Sequence, residues 1–286
     1  MNNGDDTEYF IKKGYRVIAI EANPELCKEA AAHFRAEIAG GLLKILNIGV
    51  GKEEGILDFY IDTQQSTTST FAPQPNEGGR YRIMPVAVKR LSGIIMEEGM
   101  PDLLKVDVEG LDYDVLEDLY KRGIQPVYLS AEAHTIDVFC MLVCMGYDQF
   151  KVMDSGNVGR DFAAAEIHSL DGKTLTHHFK YNSSGPFGDD FPAAWQGKVE
   201  TIRHLATLDT TWRDIHARNT KALYAEAARK AGVQNPAAEI KLAYGYWRRY
   251  PDVAGHDYYG EFGTLGYEGA RRHFIDHGRT EGRRLE

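Results

Sequence analysis

Four ionisable side chains stand where short apolar runs end. Glu21 follows Val17-Ile-Ala-Ile20, Asp107 follows Leu103-Leu-Lys-Val106, and Glu132 and His134 follow the run over 127–131. A carboxylate at the end of a strand can accept hydrogen bonds from both hydroxyls of a ribose, which makes Glu21 a candidate nucleoside ligand. A solvated strand-end charge is the plainer alternative. Asp107, Glu132 and His134 are candidate acid–base groups, and an imidazole is the one best tuned to neutral pH. His134 could equally be a satisfied cap or core histidine. Asp107 with Glu132 also offers the hard oxygens that suit Mg²⁺, but the spacing does not require an ion and no metal site is assigned.

The elements that must position these groups alternate between helix and strand. Residues 5–13 read as a helix that ends at Gly14, opened by Asn3-Gly4-Asp5-Asp6. That opening suits a nucleotide loop, or simply a helix cap. Residues 17–20 read as a buried strand, and Asn23-Pro24 caps a helix carrying Leu26, Ala30, Phe34 and Ile38 at helical spacing. Strands are expected over 42–46, 56–61, 101–107 and 127–131, and from 150, with helices over 112–122 and 136–145. Residues 63–82, which hold Ser66-Thr-Thr-Ser-Thr70, read as a long polar loop of the kind that serves as a lid. Such alternation predicts an α/β fold with a mostly parallel sheet covered on both faces, and ligands bind beyond the carboxyl ends of its strands. Glu21, Asn47, Asp107, Glu132 and His134 then share one edge.

Residues 199–231 read as helices, Asn235-Pro236 marks a break, and 239–286 are rich in aromatic and Gly residues. Three domains are expected: 1–195, a helical linker 196–238, and a small helical C-terminal module 239–286. In that module His273 and His277 sit at i,i+4, a metal-binding spacing, but packing or capping is the simpler role.

Composition narrows the partners. The net charge is −9 over 286 residues, and 13 Lys/Arg against 10 Asp/Glu from Arg213 onward leave the preceding part near −12. An acidic body argues against a nucleic-acid partner. No apolar run nears the roughly 20 residues of a membrane span, and no signal peptide is visible, so a cytoplasmic location is expected. Cys27, Cys140 and Cys144 fit reduced core thiols. A homo-oligomer is compatible with this composition.

Asn3-Gly4-Asp-Asp-Thr-Glu-Tyr, Val-Ile-Ala-Ile-Glu21-Ala22-Asn23-Pro24, Asp102-Leu-Leu-Lys105-Val-Asp107-Val-Glu109-Gly110 and Tyr128-Leu-Ser-Ala-Glu132-Ala-His134 resemble the FkbM-type methyltransferases. Ser183-Ser-Gly185-Pro186-Phe187-Gly188 resembles a segment of some members. The resemblance covers about 1–195. It implies a Rossmann-like doubly wound domain that binds S-adenosyl-L-methionine and methylates a hydroxyl of a small-molecule or glycan acceptor. Asn3, Gly4, Glu21, Ala22, Asn23, Asn47 and Asp107 would hold the cofactor, and Asp107, Glu132 and His134 would be catalytic. Glu109, with Glu132, would hold the acceptor. The tail resembles a short module found in bacterial glycan-modifying proteins. Two further readings stand beside this one: a non-catalytic methyltransferase-like scaffold in glycan assembly, and a nicotinamide-dependent oxidoreductase, which the incomplete Gly-rich turn weakens. The chain opens at the turn, without the strand that normally feeds it. Strands 17–20 and 103–108 are therefore expected to face an unpaired position, and the natural product is expected to begin upstream with such a strand.

Overall fold

Gly4 turns the chain into the first helix, α1 (Asp5–Lys12), with φ at 80°. A side chain there would meet the Phe34 ring at 2.8 Å, so the turn requires glycine. Asn3 Oδ1 accepts from the Asp5 amide at 3.0 Å, and three acidic residues in the first turn suit the helix dipole. Strand β1 (Val17–Ile20) then pairs in parallel with β2 (Leu43–Leu46). Between them lie α2 (Pro24–His33), capped by Asn23 Oδ1 on the Glu25 amide, and α3 (Arg35–Ala39). The single helix expected across Leu26 to Ile38 is broken at Phe34, whose ring is buried.

The computed structural model describes residues 1–72, 79–181, 183–208, 212–230 and 235–285. Next come β3 (Gly49–Val50), β4 (Gly55–Asp62) and β5 (Tyr81–Lys89), in the order β3-β5-β4. The sequence gives no sign of β5, because Pro85 removes a ladder donor in its middle. It is tolerated because β3 reaches only Val88 and Lys89, which leaves β5 an edge at Pro85. Part of the polar loop, 73–78, lies outside the described residues.

Helix α4 (Leu91–Glu98) leads to β6 (Leu103–Val106), α5 (Asp112–Lys121), β7 (Tyr128–Glu132), α6 (Ile136–Cys144) and β8 (Gln149–Asp154). A short α7 (Val158–Asp161), the hairpin β9 (Ala165–His168) and β10 (Thr174–His177), and α8 (Lys198–Thr207) follow. The chain then returns as β11 (Arg213–Arg218), between β7 and β8 and antiparallel to both. The central order is β6-β7-β11-β8, with only β6 and β7 parallel. The α/β class holds, and where a mostly parallel, doubly wound sheet was expected the described strands form a mixed arrangement of several small sheets. Its source is β11, which falls within the stretch read as helical. Leu116, Leu119, Leu129, Leu142 and Phe150 fill the core around this sheet. Cys27 is buried, but Cys140 and Cys144 are exposed, against the expectation of core thiols. No helix among the described residues is long and apolar enough to cross a membrane.

Contacts divide the chain into Met1–Arg218 and Asn219–Glu286. The second unit comprises α9 (Thr220–Lys230), α10 (Pro236–Arg249), α11 (Pro251–Ala254) and α12 (Glu268–His273). Its aromatic residues form its own core: Trp247 and Tyr246 are fully buried, with Tyr224 and Tyr267 beside them. His273 Nδ1 bonds the Tyr246 hydroxyl at 3.0 Å, and His277 packs against the Tyr259 ring.

Among the described residues, β1 pairs only with β2 and β6 only with β7. Their free edges line one cavity of about 580 Å³. This is the unpaired position expected from the sequence. At its mouth the Met1 nitrogen donates to Ile20 O at 3.0 Å. The Val17 and Glu21 amides donate to the β2 side, so strand alternation turns the Ile18 amide into the cavity and the Ala19 amide toward β2. The Ile18 amide should exchange with solvent at least about tenfold faster than that of Ala19, read residue by residue by NMR. Equal protection would mean that the β1 edge is covered.

Candidate active site

Register brings the acidic groups together. Val106 lies opposite Ala131 in the parallel β6–β7 pair, so Asp107 and Glu132 emerge side by side at the carboxyl end. Glu109 reaches them through a tight turn: its own φ is 48° and that of Gly110 is 89°. The Thr70 hydroxyl donates to Glu109 O at 3.2 Å, tying this turn to the polar loop. One carboxylate oxygen from each of Asp107, Glu109 and Glu132 falls within 4.8 Å of the others. Glu132 is buried, and His134 Nε2 stands 3.2 Å from its Oε2, although poorly aligned for a hydrogen bond.

Two residues not singled out in the sequence complete this end. Lys105 is two positions before Asp107 and so shares its face of β6. Its Nζ donates to Asp107 Oδ2 at 2.5 Å and lies 3.7 Å from Asp6 Oδ2 on α1. Asp214 on β11 pairs directly with Glu132 in register, and its Oδ2 accepts from the Ser155 hydroxyl at 2.6 Å. Lysine after two leucines reads as an ordinary strand residue, and Asp214 was hidden within a stretch read as helix.

Burial and mutual repulsion set the protonation of this cluster. Burial works against the Lys105 charge, yet Asp107, Asp6 and Asp214 outweigh it and hold its pKa above the ordinary lysine range. Burial likewise opposes ionisation of Asp107, but Lys105 prevails and keeps that carboxyl below its ordinary value. Glu109 has no such partner: burial, then Asp107 and Glu132, push it up to about 8. Burial and Asp107 raise Glu132 to about 7, with His134 opposing. Burial raises Asp214 to about 6, partly offset by Lys105.

Glu21 lines the other end of the cavity. Its Oε2 accepts from the Met1 nitrogen at 3.3 Å and the Asn2 amide at 3.0 Å, and its Oε1 accepts from the Asn23 amide at 2.8 Å. Asn47 Nδ2 donates to Glu21 O and Ala22 O, so it holds this corner from behind. Asn3, Glu21, Ala22, Asn23, Asp107, Glu109 and Glu132 all line the cavity, whereas Gly4, Asn47 and His134 do not. Gly4 shapes the turn, and His134 is half-exposed beside Glu132.

The polar loop forms one wall through Ser66, Thr67, Ser69 and Thr70. Asp62 anchors it. Its carboxylate accepts from Arg80 Nε at 2.8 Å, the Thr68 hydroxyl at 2.6 Å and the Gln64 amide at 2.9 Å. The Ser66 hydroxyl donates to Asn2 Oδ1 at 3.1 Å, joining the loop to the N-terminal turn.

Lys105→Met tests the electrostatics. It leaves Asp107 without its counter-charge and should cost about 2–3 kcal/mol at pH 7, less than a fully buried pair because Asp107 is partly exposed. Asp107 has a lowered folded pKa, so its stabilisation exists above the unfolded value near about 4 and is lost as pH falls. The melting-temperature gap between wild type and variant should therefore narrow below about pH 4. A gap independent of pH would contradict this account.

The profile of the methyltransferase FkbM domain matches residues 1–143. No curated protein matches the sequence. Among solved structures, a methyltransferase FkbM from Methylobacillus flagellatus KT, determined at 2.20 Å, is similar at 14% identity with a TM-score of 0.36. The match covers 62% of this chain and 42% of that one, so this chain spans less than half of its length. The family profile covers half of the sequence, including β1, β6 and β7 with Glu21, Asp107, Glu109 and Glu132 at their ends, and the chain belongs to the FkbM methyltransferase domain family.

Proposed function

We propose that the chain is an S-adenosylmethionine-dependent O-methyltransferase whose acceptor is a hydroxyl of a sugar or glycan. The observation that carries this reading is one cavity with Glu21 at one end and Asp107, Glu109 and Glu132 at the other. Its volume of about 580 Å³ lies within the range of cofactor sites. Asn3, Glu21, Ala22 and Asn23 would hold the nucleoside, Asp107 would face the methionine half, and the bound cofactor would supply an activated methyl group.

The chain's own groups then bind the acceptor and manage its proton. Asp107 is ionised and accepts hydrogen bonds, while Glu109 and Glu132, raised to about 8 and about 7, donate when protonated and accept when ionised, so the three suit a polyhydroxyl ligand. Glu132 Oε2 receives the hydroxyl proton, and His134 Nε2, 3.2 Å away and half-exposed, carries it toward solvent. The cavity favours Glu132 over His134 as the group facing the acceptor, because His134 is outside its lining. The second unit, with Tyr258 and Phe262 exposed, is suited to stacking on sugar rings.

A non-catalytic, scaffold-like role has one observation in its favour: both oxygens of Glu21 already accept hydrogen bonds from nitrogens of the chain. Calorimetric titration with S-adenosylmethionine and S-adenosylhomocysteine separates the two readings. Binding of both ligands is expected, and Glu21→Ala should weaken it by about 1.5–3 kcal/mol. No binding to the wild type would favour the scaffold, and unchanged affinity in the variant would remove Glu21 from the ribose. Once an acceptor is in hand, methyl transfer should rise with pH through about 7, because Glu132 accepts a proton only when ionised. Glu132→Gln should abolish that limb of the profile, and a limb that persists would assign the proton to another group.

A further inference from the structure

We propose that Asp107, Glu109 and Glu132 form a binding site for one hard divalent cation, of the Mg²⁺ or Mn²⁺ class, at the acceptor end of the cavity. Two independent observations converge. The first is geometric: one oxygen from each carboxylate lies within 4.8 Å of the others. Ligands around a hard cation at about 2.0–2.6 Å from the ion stand up to about 4–5 Å apart, so small side-chain adjustments suffice. The second is a buried atom that makes no hydrogen bond, although His134 Nε2 stands 3.2 Å from it. Glu132 is 5% exposed, and its Oε2 is buried with no hydrogen-bond partner among the described residues. A buried acceptor left unsatisfied is costly, and this one belongs to the same trio. The lone pairs of Glu132 can be shared between an ion and the neighbouring His134.

The surroundings suit a cation and no softer metal. All three donors are carboxylate oxygens, which favour Mg²⁺ or Mn²⁺ over thiolate- and imidazole-seeking ions. Lys105 neutralises Asp107 at 2.5 Å, while Glu109 and Glu132 have no lysine or arginine partner among the described ion pairs. Asp214 adds a further buried carboxylate behind Glu132. Three protein ligands leave open positions, which acceptor hydroxyls or water can fill. That last point rests on the proposed methyl transfer, whereas binding of the ion does not.

The test uses the full chain stripped with chelator and titrated with Mn²⁺ alone, following the free-ion signal by electron paramagnetic resonance. One saturable site per chain is expected, displaced by excess Mg²⁺. Glu132→Gln and Glu109→Gln should each weaken Mn²⁺ binding at least tenfold, and Glu166→Gln, at an exposed position away from the cavity, should leave it unchanged. Mn²⁺ should also raise the melting temperature of the wild type but not that of Glu132→Gln. Should Glu132→Gln fail to fold, Glu109→Gln decides alone, since its side chain is only half-buried. Absence of saturable Mn²⁺ binding at millimolar ion, or equal affinity in wild type and both trio variants, overturns the site. Because neither cofactor nor acceptor is present, that failure is distinct from failure of the calorimetric titration, which bears on methyl transfer alone.

Discussion

Lys105 is the charge on which the acidic end of the cavity depends. It sits on β6, bonds Asp107 on the same strand, and lies near Asp6 on α1. The field of Asp214 on β11 also acts on it. One ammonium therefore offsets carboxylates from three elements distant in sequence. Without it, burial of Asp107 beside Glu132 and Glu109 would carry a like-charge penalty with no compensation, and such groups neutralise by taking protons. Glu109 and Glu132, which have no such partner, do so: their pKa values rise to about 8 and about 7.

Asp6 extends that constraint to the rest of the first unit. Its Oδ1 accepts from the Ser183 hydroxyl at 2.7 Å and the Ser184 amide at 3.1 Å. Asp5 accepts from the Lys180 amide at 2.9 Å. One turn later, the buried Tyr9 hydroxyl accepts from the Phe187 amide and donates to Asp190. Helix α1 is thus a peg: its first turn lines the cavity and, together with Tyr9 of the second, holds the segment 183–190. The segment 183–190 in turn fastens α1 in place.

Much of this was legible in the sequence, for a simple reason. Elements whose order is local, such as α1, β1, α2, β6, α5, β7 and α6, announce themselves by periodicity and caps, and strand ends follow from them. Glu21, Asp107 and Glu132 were therefore identifiable as a group, and so was the unpaired position beside β1 and β6. What escaped depends on pairing at long range. β11 carries a burial pattern without strict alternation, because both of its faces are covered, and only its pairing with β7 and β8 makes it a strand. With β11 went Asp214 and the mixed character of the sheet. β5 escaped because Pro85 argues against a strand unless the local absence of a second neighbour is known. His134 marks a different limit: a strand end fixes where a residue leaves the sheet, not which way its side chain turns, and here it stands half-exposed beside Glu132.

The cavity places its two ends on different small sheets. Glu21 stands at the end of β1, paired only with β2, and the acidic trio stands at the ends of β6 and β7. Between them no ladder hydrogen bonds run among the described residues; what joins them is α1, through Asp6 and Lys105, and the loop contact from Ser66 to Asn2. Side-chain contacts of this kind are fewer and softer than a strand pairing, so they hold the separation of the two ends less firmly than a ladder does. The proposed methyl transfer would be sensitive to such a distance, because an in-line displacement gains much of its advantage from holding the reacting atoms in near-attack geometry. A ligand spanning both ends adds its own contacts between them, and by linkage its binding free energy becomes stability of the first unit. Order in this cavity and occupancy of it are therefore one thermodynamic quantity.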